Sequence, residues 1–256
     1  MLTVLKLGGS VLRDDRSYAA SARFLQQRLA LAPQERLVVI VSAQYGATDA
    51  LHAEAQIIAN DPCQLALDLL WSTGELRSVA LLALHLQRIG VSAVPFNVHQ
   101  TGLVADREAG TTVRPMRLLA ALAHARIVIV PGFLGVSPGG AVTSLGRGGS
   151  DLTAVLLAAA IRADACELIK DVPGYFTADP HRDAAAQPIH DLGIDEALRM
   201  ADGGCDLVQR AALAAAAHAD LHLVIRSMDA AAPVSHVHSR SSHGVRHQDH
   251  SCRAAV

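Results

Sequence analysis

Leu2-Thr-Val-Leu-Lys6-Leu-Gly-Gly-Ser10 begins with a short apolar run and stops at two adjacent glycines. A second run, Arg36 to Val41, repeats the pattern and also ends in a small-residue loop. Runs this short, rich in Val, Leu and Ile and without polar alternation, suit strands covered on both faces, which is the condition of a parallel sheet. Ser17 to Leu31 and Ala47 to Ala59, which lie between and after them, carry apolar residues at helical spacing. The element order is therefore βαβα.

Working outward, a long helical stretch at Cys63 to Ile89 is followed by strand candidates at Val91 to Phe96 and Arg126 to Val130. Gly132 to Gly149 holds seven glycines and one proline and reads as a ligand-facing loop rather than a core element. After it come a helix from Ser150 to Arg162, a strand from Cys166 to Asp171, and helices around Asp195 to Ala201 and Leu207 to Ala219, before a last strand at Leu221 to Arg226. The expected fold is α/β, a three-layer α-β-α sandwich with a mainly parallel central sheet, over residues 1–230. Residues 231–256 turn to Ala, Ser, His and Arg, with His236, His238, His243, His247 and His250 close together. This segment reads as a flexible surface tail; a His-rich metal site is the sharper reading, but no acidic or cysteine ligands stand at fixed spacing around it.

Charge is nearly balanced, 22 Lys and Arg against 24 Asp and Glu, with no block of either sign, which argues against nucleic acid or a membrane surface as partner. No apolar run reaches the length of a membrane span, and the N-terminus lacks the features of a signal peptide, so the expectation is a cytoplasmic enzyme. Cys63, Cys166, Cys205 and Cys252 are widely spaced and read as reduced thiols.

Four stretches carry residues suited to chemistry. Lys6-Leu-Gly-Gly-Ser10 ends a strand where open α/β sheets place ligands; Gly8, Gly9 and Ser10 offer backbone N–H groups to an anion, and Lys6 can neutralise a transferring phosphoryl group. A plain tight turn is the bland reading. In Leu145-Gly-Arg-Gly-Gly-Ser-Asp-Leu152, Arg147 has no apolar neighbour to pack on and suits bidentate capture of a carboxylate, while Ser150 or Asp151 would also cap the helix. Glu75, in the small-residue break Ser72-Thr-Gly-Glu75, reads by itself as a solvated glutamate; opposite Arg147 it would be the counter-anion for a substrate ammonium. In Lys170-Asp-Val-Pro-Gly-Tyr-Phe-Thr-Ala-Asp-Pro180 an aromatic ring can flank adenine while Asp171 takes polar contacts, or the segment is only a packed turn. The absence of GxxxxGK[ST] excludes a P-loop kinase, and the absence of GxGxxG after the first strand excludes a dinucleotide enzyme.

Taken in order, KLGGS, VSAQYGATDAL, STGELRSVALLALHLQRIGVSA, VPGFLG, SLGRGGSDLTAVLLAAAI and DVPGYFTADP resemble the sequential motifs of the aspartate kinases of the amino-acid kinase family, over roughly residues 4 to 227. The resemblance implies ATP-dependent phosphorylation of a small amino-acid carboxylate, aspartate first, with Mg2+ as part of Mg-ATP and no protein-held metal. The N-terminal part to about residue 165 would bind the acceptor and the C-terminal part the nucleotide. It implies Lys6 and Asp151 as catalytic residues, Asp151 orienting Lys6, and Thr48, Glu75, Arg147 and Ser150 as the acceptor pocket. Gly8, Gly9, Ser10, Lys170, Asp171, Phe176 and Arg182 would face the nucleotide and its phosphates. A homo-oligomer, dimer or larger, is expected. The chain departs from the family pattern in four places: Lys170 replaces Thr or Ser, Phe176 a tyrosine and His181 an arginine, while Asp206 stands where a phosphate-binding lysine is expected. The regulatory ACT domains that follow most catalytic domains of the family are not in this sequence. Two alternatives stay open, a kinase for another small amino or carboxylic acid and a catalytically weak subunit that binds a ligand or partner.

Overall fold

The computed structural model describes residues 1–106, 110–146, 148–180 and 182–238. The first half of the chain runs β1 (Leu2–Leu7), α1 (Asp15–Leu31), β2 (Arg36–Val41), α2 (Ala47–Ile58), α3 (Gln64–Arg88), β3 (Val94–Pro95), β4 (Leu103–Asp106), β5 (Gly110–Val113), α4 (Met116–His124) and β6 (Ile127–Pro131). Then follow β7 (Leu134–Val136), β8 (Val142–Ser144), α5 (Gly149–Ile161), β9 (Ala165–Ile169), β10 (Tyr175–Phe176) and β11 (Pro188–Ile189). The last elements are β12 (Asp191–Gly193), α6 (Ile194–Asp202), α7 (Arg210–His218), β13 (Leu223–Arg226) and β14 (Ser235–His238).

Eight strands form the central sheet in the order β12-β14-β13-β9-β1-β2-β6-β3, and all its pairings are parallel except β13 with β14. Alternation along the strands divides the core in two. Val4, Val38, Ile40, Val128 and Leu168 face a cluster with Leu118, Ala154, Val155 and Leu213 from α4, α5 and α7. Leu5, Leu7, Val39, Val41 and Ile129 face another with Tyr18, Leu25, Val79 and Leu82 from α1 and α3. The three expected layers are thus present, and burial on both sides explains the unbroken apolar runs of β1 and β2. Asp14 fixes the start of α1: its carboxylate accepts from the Ser17 backbone at 2.8 Å, and the Ser17 hydroxyl accepts from the Asp14 backbone at 2.9 Å.

Three local expectations are corrected. The glycine-rich stretch 132–149 is not wholly loop, because β7 and β8 join β4 and β5 in a four-stranded sheet of order β5-β4-β7-β8. Ser72-Thr-Gly-Glu75 does not interrupt its helix; α3 is continuous, and Gly74 lets it press close, since a Cβ there would lie 3.3 Å from that of Ala43. Residues 235–238, assigned to the tail by composition, form β14, with Val237 fully buried between β12 and β13. The Ser235 hydroxyl also accepts from the Tyr175 backbone at 2.8 Å. His243, His247 and His250 lie outside the described residues. His236 stacks on His222, and His238 lies 3.1 Å from Asp191. Among the described residues no three His, Cys, Asp or Glu side chains are grouped to hold a metal, and no helix is long and apolar enough to cross a membrane.

Removing β14 uncovers the core edge. Truncation after Pro233 is expected to lower the melting temperature by more than about 4 °C, since losing a buried valine and its strand costs roughly 2 kcal/mol or more. A chain ending at Pro233 that melts with the wild type would show that β14 contributes nothing.

Candidate active site

The C-terminal ends of β1, β2, β6 and β9 lie on one edge of the sheet, where an open α/β sheet leaves a crevice. A cavity of about 370 Å3 occupies it, lined among others by Lys6, Gly9, Ser10, Thr48, Glu75, Ser150, Asp151 and Lys170. Close packing shapes this edge. A Cβ on Gly132 would fall 2.7 Å from the Ser150 hydroxyl, and one on Gly148, whose φ is +72°, would fall 2.0 Å from the Gln209 side chain. Only glycine permits both approaches and the left-handed turn that starts α5.

Asp151, in the first turn of α5, is 2% exposed and holds a lysine at each oxygen. Lys6 Nζ lies 2.8 Å from Oδ1, and Lys170 Nζ donates to Oδ2 at 2.7 Å. The two lysines come from adjacent parallel strands or their ends: Lys6 is in register with Leu168 of β9, and Lys170, two residues after Leu168, directly follows β9. Alternation turns both toward the α5 side of the sheet. Burial would push the Asp151 carboxyl up, but Lys170 and Lys6 override it and hold it well below the usual carboxylate range. Burial pulls the Lys170 ammonium down to about 8 against the opposing pull of Asp151. The helix N-terminus adds positive potential at the same point.

Glu75 corrects the plain reading of its sequence, being 3% exposed rather than solvated. Burial raises its carboxyl to about 8, although the Ala43 backbone and the charge of Lys6 draw it back. Its Oε2 has no hydrogen-bond partner. A buried carboxyl with one empty oxygen at a cavity wall is ready to meet a ligand donor.

Ser150 and Asp151 do not cap α5, as the cap position belongs to Gly148 and no side chain bonds there. Asp171 is half exposed and accepts from the Ser10 hydroxyl at 2.9 Å, which ties the loop after β1 to the end of β9. Lys170 does not accompany Asp171 outward; its side chain is 12% exposed and directed into the Asp151 pair. Tyr175, the first residue of β10, is packed in the core, and both it and Phe176 pair with β11 in a two-stranded ribbon. Arg182 pairs with Asp179 at 3.3 Å; neither it nor Phe176 lines the cavity. Arg147 and His181 lie outside the described residues, although Gly148 and Gly149, which follow Arg147, line the cavity.

Sequence reasoning missed Gln44, Tyr45 and Gln209, which also line the cavity. Gln44 and Tyr45 follow β2 as Gly8 and Gly9 follow β1, so their place at a strand end was a signal. Gln209 precedes α7 and has no such mark; it reaches the site only through its packing on Gly148.

The family model for the amino acid kinase family matches residues 1–227. The chain belongs to that family. Within it, an aspartokinase of Thermus thermophilus is 38% identical over 231 residues, covering 88% of this chain and 56% of that protein. The aspartate kinase of Synechocystis superposes with a TM-score of 0.82 at 34% identity, over 96% of this chain and 41% of that one. Aspartokinase III of E. coli, in complex with aspartate and ADP, gives 0.81 at 25% identity over 95% and 66%. This amino acid kinase chain spans about half the length of the curated relatives it matches.

Proposed function

We propose that the chain transfers the γ-phosphoryl group of Mg-ATP to the carboxylate of a small amino acid, aspartate first. The observation that carries the reading is the buried pair of lysines on Asp151, sharing one cavity with the unfilled carboxyl of Glu75. At pH 7, below the values of about 8 for both Glu75 and Lys170, Glu75 is mostly protonated and Lys170 mostly charged, so the buried floor of the cavity sets two ammoniums against one full carboxylate, with the exposed Asp49 at its rim. A buried surplus of this kind favours an anion such as a phosphate chain. Support also comes from the E. coli relative that holds aspartate and ADP.

In this reading a carboxylate oxygen of the acceptor attacks the γ-phosphorus in line, the bond from phosphorus to the β-phosphate oxygen breaks, and ADP leaves. The product is an acyl phosphate. The acceptor carboxylate is already ionised, so no general base is required and the protein works by alignment and charge. Lys6 faces the transferring group, Asp151 orients it, and Gly8, Gly9 and Ser10 present the loop after β1 to the phosphates. Glu75 and Thr48 take the acceptor ammonium side, while Arg147 and Ser150 take its carboxylate side. Asp171, Phe176 and Arg182 are assigned to the nucleotide side, where Asp171 and Ser10 offer oxygens to Mg-ATP. Magnesium is assigned to the phosphate oxygens rather than to a protein-built site, and a homo-oligomer remains part of the proposal.

The test is ADP release and hydroxylamine trapping with purified chain, Mg-ATP and a panel of amino and carboxylic acids. Aspartyl hydroxamate is expected at a kcat/KM at least about tenfold above that for glutamate, because one added methylene alters the fit by about 1 to 3 kcal/mol. Another preferred acid would move the acceptor and keep the chemistry. Absence of acceptor-dependent ADP release across the panel would leave the chain as a ligand-binding relative.

A further inference from the structure

We propose that the second phosphate-binding cation of this site has moved to Lys170, the residue directly after β9, which does the work that the 203–209 loop does not supply. The inference rests on the kinase reading for its ligand, a nucleotide triphosphate, and on the geometry for its residue.

The loop between α6 and α7 runs Gly203-Gly-Cys-Asp-Leu-Val-Gln209 and contains no lysine or arginine. Its one contribution to the cavity is the neutral Gln209, and its one charge, Asp206, is exposed. Arg210, just beyond, is 63% exposed and paired with Asp202 at 2.6 Å. This loop therefore gives the cavity no positive charge. Lys170 does. Its ammonium shares Asp151 with Lys6, one lysine per oxygen, so a single carboxylate fixes two cations side by side. Such sharing leaves each ammonium with donors that Asp151 does not use, because an ammonium has three and each lysine meets one oxygen of the carboxylate. Both side chains line the same cavity, and the spare donors have a phosphate chain as their natural acceptor.

The position also changes how the charge is delivered. Lys170 directly follows the parallel strand β9, and its backbone N–H bonds to the Arg226 carbonyl at 2.9 Å. A cation placed this way is oriented before nucleotide arrives, whereas a loop lysine must be ordered on binding. The depressed Lys170 ammonium agrees with a buried group awaiting an anion. An acidic residue at position 206 is tolerated because the charge it replaces is no longer needed there.

The experiment exchanges the two positions. Binding of a non-hydrolysable ATP analogue and of inorganic triphosphate is measured by calorimetry, and turnover by hydroxylamine trapping, for wild type, Lys170→Thr, Lys170→Arg, Asp206→Ala and the double variant Lys170→Thr/Asp206→Lys. Melting curves confirm that each is folded, and Lys170→Arg supplies a folded cationic control should Lys170→Thr melt at low temperature. Lys170→Thr is expected to weaken triphosphate binding by at least about tenfold and kcat/KM by about 10^2- to 10^3-fold. Lys170→Arg should keep most of the binding, Asp206→Ala should stay within about threefold of wild type, and the double variant should regain at least about tenfold over Lys170→Thr. Triphosphate affinity unchanged in Lys170→Thr, or lost equally in Asp206→Ala, overturns the relocation, as does a wild type that binds neither probe. Lys170-dependent triphosphate binding without turnover on any acceptor would instead retain the cation site and reject the kinase reading.

Discussion

Asp151→Asn is expected to lower kcat/KM for acyl phosphate formation by about 10^3-fold or more, with most of the loss in kcat. The residue is 2% exposed and carries two ion pairs at the cavity, to Lys6 at 2.8 Å and to Lys170 at 2.7 Å. Asparagine keeps the shape but offers one acceptor oxygen and no charge. Two buried ammoniums then repel without a counter-ion, so one must turn away or lose its proton, Lys170 first because burial already pulls its ammonium down to about 8. Removing a single preorganised group from a charge-stabilising site commonly costs 10^2- to 10^3-fold, and Asp151 orients two. The fold is also affected: breaking a buried pair from one side costs about 3 to 5 kcal/mol. In wild type the Asp151 carboxyl is held below its ordinary value of 3.8, so its stabilising contribution is complete above that value and is lost only as pH falls through its depressed folded value. Asparagine removes that acid-side contribution. Turnover measured below the melting temperature of the variant separates the two effects. A folded Asp151→Asn chain within about tenfold of wild type would show that the lysines do not depend on this carboxylate.

How much of this was legible in advance depends on where the determining contacts lie. The strands β1, β2 and β6 announce themselves because burial on both faces admits only apolar residues, and every residue of β6 is buried. Lys6 stands out for the same reason, as the one charge in an apolar strand that is 6% exposed. The second sheet was hidden: β7 and β8 have three residues each, in a stretch whose glycines serve close approaches such as that of Gly135 to Ala105. Strands so short are set by their neighbours, not by local pattern. β14 was missed because Ser235-His-Val-His238 shows only one apolar residue, Val237, whose burial comes from the flanking β12 and β13. The Asp151–Lys170 contact spans 19 positions and exists only because α5 returns through β9 to the same sheet edge. No single-sequence period reports such a return.

Glu75 shows the same limit from the side of charge. Its position in α3 looks like any surface glutamate, yet Gly74 brings the helix against Ala43 and closes water out. Glu75→Gln is expected to stabilise the free chain by about 2 to 4 kcal/mol at pH 8 while weakening acceptor binding about 10^2-fold. Burial raises the carboxyl from its ordinary value of 4.5 to about 8, even with the Ala43 backbone and Lys6 pulling the other way. A raised value means that the folded chain holds a proton the unfolded chain has released. That contribution is complete below 4.5 and is lost as pH rises through about 8. At about 1.4 kcal/mol per pKa unit the ceiling is about 5 kcal/mol, and relaxation around a charged carboxylate leaves roughly 2 to 4. Glutamine is neutral throughout, so the fall in melting temperature that this group causes between pH 5 and 9 should flatten. The acceptor reverses the balance, because an ammonium beside Glu75 favours the charged form and drives its proton off. Calorimetry at pH 7 in buffers of different ionisation enthalpy should therefore show close to one proton released per acceptor bound to wild type, and none assignable to this group in the variant. Equal proton release from both chains, or an unchanged slope of melting temperature with pH, would remove Glu75 from the acceptor pocket and assign its burial to packing alone.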